Sequence, residues 1–310
     1  MKIKLKNKIG QFEGLEEDDL VKIRHLLSFR QEGVEYTKAF KAGHWDGTTY
    51  LINSKQEFPI GLLSKVEKYL KDKCIDYTIE DNRKAIVPSI PLDISKPLLN
   101  IGIVPRDYQE RVVSLIDFSK QDCGIIRSCT GSGKSLMAAL MTAKINKPTI
   151  IYVIGLDLLS QFHSAFSNIF DEEIGYIGNG VCNIKRINIA SIWTLGKALD
   201  ISIEDLLNDD DELDEESFNE LDKAKIIQCL KDTKLHILDE CHVAGTSTLR
   251  SIHKVIEPEY LYGLSGTPFR QDNSDLLIEG LLGPIKIDIS ASELIEKNVL
   301  AQPYIKFIKV

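Results

Sequence analysis

No stretch of the 310-residue chain approaches the ~20 consecutive apolar residues that a membrane-spanning helix requires. The amino terminus, Met1-Lys2-Ile3-Lys4-Leu5-Lys6, alternates charge with apolar side chains and builds no signal-peptide core. Both absences point to a cytoplasmic chain with no membrane partner. Cysteine occurs six times, at Cys74, Cys123, Cys129, Cys182, Cys229 and Cys241, but never as C-x-x-C or in paired spacing. That excludes the usual zinc and disulfide frameworks and leaves reduced, mostly buried thiols. No repeat of about 20–50 residues recurs, which excludes solenoids. Basic charge is also scarce: 38 Lys and Arg against 46 Asp and Glu give a formal −8, which argues against a phosphate-rich partner. The deficit is local, however. Residues 199–221 carry eleven acidic groups and no lysine or arginine, and setting those eleven aside leaves the rest at +3.

The length implies two folding units, and 43% apolar residues is enough to give each a core. Pro88, Pro91, Pro97 and Gly102 interrupt any regular pattern, so we expect a domain over 1–87, a linker over 88–104 and a second domain over 105–300. In the first, Lys2–Lys8 alternates like an edge strand, and Leu20, Ile23 and Leu27 fall at helical spacing. Asp46-Gly47 before Thr48–Ile52 predicts a tight hairpin turn feeding a strand. Leu62, Leu63, Val66, Tyr69 and Leu70 mark another helix, and Cys74–Ile79 alternates again, giving a small α+β domain. The second domain reads as strand, glycine-rich turn, helix, strand. Thr149–Ile154 and Lys234–Leu238 are continuous apolar runs of the kind buried in parallel sheets, so its class is α/β. The acidic stretch 200–222 reads as a solvated surface insertion between two sheet elements.

Thr130-Gly131-Ser132-Gly133-Lys134-Ser135 follows an apolar strand and opens a helix, where a phosphate loop belongs. Glycines admit phosphate close to the backbone amides, Lys134 can reach the β- and γ-phosphates, and the Ser135 hydroxyl can ligate Mg²⁺. The strict G-x-x-x-x-G-K-[ST] pattern departs at its first position, Ser128. Such a loop needs an acidic partner for the metal, and Leu235-His236-Ile237-Leu238-Asp239-Glu240-Cys241-His242 ends an apolar strand in two carboxylates. Asp239 is the candidate Mg²⁺ ligand and Glu240 the candidate base for the attacking water. ATP with Mg²⁺ is the expected cofactor pair.

With these motifs in place, the chain resembles a superfamily 2 helicase of the DEAD/DEAH-box kind, which implies a RecA-like P-loop domain over 105–300. Pro105-Arg106-Asp107-Tyr108-Gln109 resembles the adenine-recognition element. By that resemblance Gln109 reads the base edge, with Arg106 or Tyr108 near the ring. Ile150–Gln161 resembles motif Ia, with Ile154-Gly155 where the family often has Pro-Thr, and Ala190-Ser191-Ile192-Trp193-Thr194-Leu195 resembles the next element that touches the nucleic-acid backbone. The resemblance therefore assigns Gly155, Trp193 and Thr194 to nucleic acid. Gly263-Leu264-Ser265-Gly266-Thr267-Pro268-Phe269-Arg270 resembles motif III, so Ser265, Gly266 and Thr267 are expected to couple the two ligands, with His242 bridging to the γ-phosphate side.

The first domain is similar to the N-terminal domain of UvsW-type phage recombination helicases, through Phe29-Arg30-Gln31-Glu32-Gly33, Phe40–Gly47 and Phe58–Leu62. Lys38, Lys41, His44, Trp45 and Tyr50 interleave cations with aromatics, a mixture suited to phosphate contact plus stacking. The implied activity is ATP-dependent unwinding or branch migration of branched or forked DNA, duplex or single-stranded, in a bacterial cytoplasm if the chain is phage-encoded. An ATP-switched binding module, an RNA helicase and a restriction-system motor remain open, because contacts to the 2′-OH decide between DNA and RNA. Residues 301–310 resemble the exit toward a second RecA-like domain, so the chain reads as truncated, with that domain expected in cis or in trans. The chain alone is then expected to bind ATP and hydrolyse it poorly, since an arginine finger is worth ~10³–10⁵ in rate.

Overall fold

The computed structural model describes residues 1–30, 33–36, 38–199, 219–242, 247–267 and 275–303. Most of the acidic insertion, the Pro268-Phe269-Arg270 end of the motif III stretch and residues 304–310 lie outside the described residues. Among the described residues, no helix is long and apolar enough to cross a membrane.

The first domain contains β1 (Lys2–Leu5), β2 (Ile9–Glu13), β3 (Ser28–Arg30), β4 (Thr48–Tyr50), β5 (Glu57–Pro59) and β6 (Thr78–Asp81). Four of these form a sheet in the order β5-β2-β1-β6, with β1 antiparallel to β2 and parallel to β6. Thus β1 is interior rather than the expected edge strand. Its alternation reports only that Ile3 and Leu5 face a core while Lys2 and Lys4 face water, which holds at either position in a half-covered sheet. Helices Glu17–Leu26 and Leu63–Asp72 supply Ile23, Val66 and Leu70 to that core, beside Phe12, Phe58 and Leu62. The pair β3–β4 stands apart from this sheet. Asp46 Oδ1 accepts from Thr48 N at 2.8 Å and Gly47 has φ +84°, so the turn into β4 forms as expected. Its partner strand lies before residue 31, however, so the two strands are not joined by a tight hairpin.

The second domain is built on β7 (Asp122–Ser128), β8 (Thr149–Val153), β9 (Gly175–Gly178), β10 (Val181–Asn183), β11 (Ile187–Ser191), β12 (Leu235–Asp239), β13 (Tyr260–Ser265) and β14 (Ile285–Ile289). They form one sheet in the order β10-β9-β11-β8-β12-β13-β7-β14, parallel throughout except for the β9–β10 hairpin. Cores on the two faces explain the unbroken apolar runs: Ile151, Val153 and Ile237 enter one, Ile150, Tyr152 and Leu238 the other. Parallel strands need crossovers, and Lys134–Ile145, Leu156–Ile169, Ser247–Val255 and Asp275–Leu282 are helices following β7, β8, β12 and β13. The residues between 88 and 104 are not free of the body. Ser95–Asn100 is a short helix, Ile94 and Leu98 enter the second domain's core, and Leu92 N donates to the Ala143 carbonyl at 2.9 Å.

Candidate nucleotide site and nucleic-acid surface

The carboxyl ends of β7, β13 and β12 lie side by side, which gathers the loops after Ser128, Ser265 and Asp239 on one edge of the sheet. After β7 the chain turns through Gly131 and Gly133, both left-handed at φ +84° and +82°, into the helix that begins at Lys134. A Cβ at Gly133 would stand 2.7 Å from Gln109 Nε2, so this glycine serves both the turn and a close approach. Ser128 is fully buried and its Oγ hydrogen-bonds Ser132 Oγ. The hydroxyl at the position where the strict pattern has glycine thus ties the base of the loop together.

The loop is held by residues of the Pro105–Gln109 stretch. Tyr108 Oη and Gln109 Nε2 both donate to the Ser132 carbonyl at 3.0 Å, Arg106 Nη1 donates to Tyr108 Oη at 3.1 Å, and Gln109 Oε1 accepts from Arg106 N at 2.9 Å. Tyr108 and Gln109 are buried, so of the three only Arg106 presents its side chain to solvent. This support of the P-loop carbonyl was not foreseen, because it joins residues 23 and 24 positions apart in sequence.

Lys134 Nζ pairs with Glu240 Oε1. Glu240 Oε2 accepts from Ser265 Oγ at 3.2 Å and lies 3.4 Å from His242 Nδ1, and Ser265 Oγ in turn accepts from Thr267 N at 3.2 Å. One cluster therefore joins the P-loop, the D-E-C-H sequence and motif III. Glu240 sits at φ +52°, an uncommon conformation for a non-glycine residue that marks the chain reversal after β12. The adjacent His242 imidazole, opposed by burial and reinforced by Lys134 and Ser265, holds the Glu240 carboxyl down at about 2. Burial pushes neighbouring Asp239 up to about 6, against the pull of Lys134. Two adjacent carboxyls are thus set apart in acidity by their surroundings, the pattern that divides roles in a catalytic pair.

Asp239 Oδ1 is buried with no hydrogen-bond partner in the protein. No group of three or more His, Cys, Asp or Glu side chains converges as a metal cage among the described residues. This donor set fits Mg²⁺, which keeps several waters and is commonly held by one or two side-chain oxygens plus substrate phosphates. Asp239 and Ser135, the second residue of the P-loop helix, are the side chains that could hold it.

The expected nucleic-acid residues divide. Lys38, Lys41 and His44 are exposed between β3 and β4, and Trp45 is half-buried, its Nε1 donating to the Thr48 carbonyl at 2.8 Å. The structure adds partners that sequence spacing did not reveal: Arg24 lies 4.4 Å over the Tyr50 ring, Arg30 5.5 Å over Phe40, and Lys41 5.9 Å over Tyr36. Gly155, at φ +82°, opens the helix after β8 with nothing within 4 Å of a Cβ placed there. Trp193 and Thr194, expected at the nucleic-acid surface, are a correction: with 7% and 2% exposure they face inward, Trp193 entering one of the cores against the sheet. The helix Ile192–Ala198 is buried along almost its whole length, so proximity to a strand end did not translate into access.

Comparison with known proteins adds to this geometry. Residues 102–270 match the family described as type III restriction enzyme, res subunit, and residues 4–80 match the family described as DNA helicase UvsW, N-terminal. The DNA 3'-5' translocase XPB2 of Sulfurisphaera tokodaii is 27% identical over 237 residues, covering 76% of this chain and 45% of that protein. The ATP-dependent DNA helicase uvsW of Enterobacteria phage T4 is 27% identical over 135 residues, covering 41% of this chain and 26% of that protein. The chain spans less than half the length of the curated relatives it matches. In fold, it is similar to the crystal structure of the UvsW helicase from bacteriophage T4, with a TM-score of 0.65 at 19% identity, over 92% of this chain and 99% of that one.

Proposed function

Because this chain belongs to the superfamily 2 helicases, in the family described as type III restriction enzyme, res subunit, and carries a UvsW-type N-terminal domain, we propose that it is the ATP-binding part of a DNA translocase acting on branched or forked DNA. The observation that carries this reading is the single cluster of Lys134, Glu240 and Ser265 at the ends of three adjacent parallel strands.

In the proposed reaction the P-loop amides between Gly131 and Lys134 and the positive end of the 12-residue helix receive the phosphates. Lys134 leaves Glu240 for the β- and γ-phosphate oxygens. Glu240 then loses one of the partners that hold its carboxyl in the charged, weakly basic form and becomes a better base, still oriented by Ser265 and His242 toward the attacking water. Ser135 and Asp239 would hold Mg²⁺, which when bound would supply neutralisation of the charge that develops on the transferred group. Ser265 touches Glu240 on one side and Thr267 N on the other, so it is the residue that passes the state of the γ-phosphate site into motif III. Full turnover calls for an arginine from a second RecA-like domain, in cis or in trans. For DNA, the exposed Lys38, Lys41 and His44 contact phosphate, and the exposed part of Trp45 stacks.

The test is equilibrium titration with a fluorescent ATP analogue, with and without Mg²⁺. The wild-type chain binds, Lys134→Ala loses at least about tenfold in affinity, consistent with removal of a charge-assisted hydrogen bond, and Asp239→Asn loses the dependence on Mg²⁺. Binding by Lys134→Ala at wild-type affinity would refute the reading.

A further inference from the structure

Of the contacts that seat the N-terminal domain on the α/β body, among them Arg83 Nη1 donating to the Gln121 carbonyl at 3.2 Å, two fall at helices that follow strands of the nucleotide site. The first is made by Lys8, between β1 and β2. Its Nζ donates to the carbonyls of His253 at 2.7 Å and Lys254 at 3.2 Å in the last turn of the helix Ser247–Val255, and lies 3.5 Å from Glu257 Oε1. Asn7 Nδ2 donates to Glu257 Oε2 at 2.9 Å. An ammonium here satisfies carbonyls that a helix end leaves open and meets the negative end of the helix dipole. The second contact is backbone against backbone. A Cβ at Gly61 would stand 2.1 Å from the Glu279 carbonyl oxygen and 2.7 Å from that of Gly280, at the end of the helix Asp275–Leu282. Gly280 in turn faces Pro59, Lys65 pairs with Glu279 at 3.0 Å, and Leu276 packs into the N-terminal domain's core.

These two helices are the next described elements after the Asp239–His242 sequence and after the Ser265–Thr267 sequence. Those sequences are joined to each other, and to Lys134, through Glu240. We propose that the N-terminal domain is coupled to the nucleotide site through these two helices, so that ATP at Lys134 and nucleic acid on the N-terminal domain change each other's affinity. Lys8 and Gly61 are positioning residues for this coupling. The inference rests on the ATP site and the nucleic-acid surface proposed above.

The physical reason is the absence of slack. At Gly61 the two backbones leave no room for a methyl group, so a sub-ångström shift of the helix Asp275–Leu282 moves the turn Ile60–Leu62 with it. Transfer of Lys134 from Glu240 to phosphate changes the charge balance at the carboxyl ends of β12 and β13, from which both helices follow. Nucleic acid that favours one seating of the domain biases the same two helices from the other side, and linkage makes the two effects equal.

The test is a binding cycle on the full chain: affinity for fluorescein-labelled fork DNA with and without a saturating non-hydrolysable ATP analogue and Mg²⁺, and the converse titration. Wild type is expected to show an affinity ratio of about fivefold or more, the same in both directions. Lys8→Met keeps the apolar stem and removes the ammonium; it should bring the ratio close to one while leaving each separate affinity unchanged, and Lys8→Arg should restore it. Gly61→Ala, probing the second contact, should also lower the ratio. Wild type that binds both ligands with a ratio of one, or Lys8→Met and Gly61→Ala that both keep the wild-type ratio, would overturn the coupling alone. A chain that binds neither ATP nor fork DNA would overturn the proposed function and the coupling with it.

Discussion

Replacing Glu240 by glutamine separates nucleotide binding from chemistry, and the structure gives the direction of each. The Glu240 carboxyl is held at about 2 against an ordinary 4.5, which corresponds to about 3 kcal/mol in favour of its charged form. His242 leads that stabilisation and Lys134 and Ser265 share it, with burial opposing. The side chain is 30% exposed, so solvent screening brings the Lys134 share down to about 1 kcal/mol. In the proposed reaction ATP breaks this pair to recruit Lys134. In Glu240→Gln the lysine is released beforehand, and affinity for a non-hydrolysable analogue should rise about fivefold. Turnover should fall by about 10²–10⁴, the usual worth of a positioned general base. Nucleotide titration and phosphate release measured on the same preparation read both effects. Weaker binding in Glu240→Gln would show that the carboxylate does not compete for Lys134, and undiminished turnover would show that it is not the base.

Other consequences are open to equally direct measurement. Gly133→Ala forces a side chain into φ +82° and against Gln109, at about 1–2 kcal/mol, and should weaken nucleotide binding about tenfold in titration with an unchanged circular dichroism spectrum. Tyr108→Phe removes a buried donor to the Ser132 carbonyl, and its melting temperature should report a loss of about 1 kcal/mol; an unchanged value would mean that Gln109 alone satisfies that carbonyl. Burial pushes His236 down to about 3 and, with Lys8 adding to it, His253 to about 4, whereas both titrate at 6.5 when unfolded. The unfolded chain thus takes up protons that the native one refuses. Stability is full above 6.5 and is lost as pH falls toward those lower values, by about 2 kcal/mol per histidine at pH 5. Asp239, raised to about 6, works in the opposite sense and is outweighed, so the urea midpoint should fall between pH 7 and pH 5; a flat midpoint contradicts the burial of these rings. Lys41→Ala should weaken fork binding and reduce its salt slope by about one, and Trp45→Ala should weaken binding at every salt concentration.

What could be read from the sequence was what lies close along the chain. Thr130–Ser135 and Asp239–His242 are contiguous, and their chemistry requires their order, so the P-loop helix and the paired carboxyls were readable before any fold was known. The apolar runs of β8 and β12 announced a sheet covered on both faces because every residue in them is buried. What could not be read depends on distant partners. Alternation in Lys2–Leu5 cannot say how many neighbours the strand has, and the turn at Asp46-Gly47 cannot say that its partner strand is Ser28–Arg30. Tyr108 and Gln109 look alike whether they meet a base or the Ser132 carbonyl. Trp193 and Thr194 follow a strand end, yet the packing of their helix turns both inward. Gly61 carries no local signal, since only the approach of the Glu279 carbonyl requires it to lack a side chain.

The central claim is that Lys134, Asp239 and Glu240 form an ATP site whose turnover answers to DNA. The most direct test is ATP hydrolysis by this chain joined to a second RecA-like domain, measured with and without fork DNA, in wild type and in Lys134→Ala. Our account predicts turnover that fork DNA stimulates severalfold and that Lys134→Ala abolishes under both conditions. Turnover indifferent to DNA, or surviving in Lys134→Ala, would contradict it.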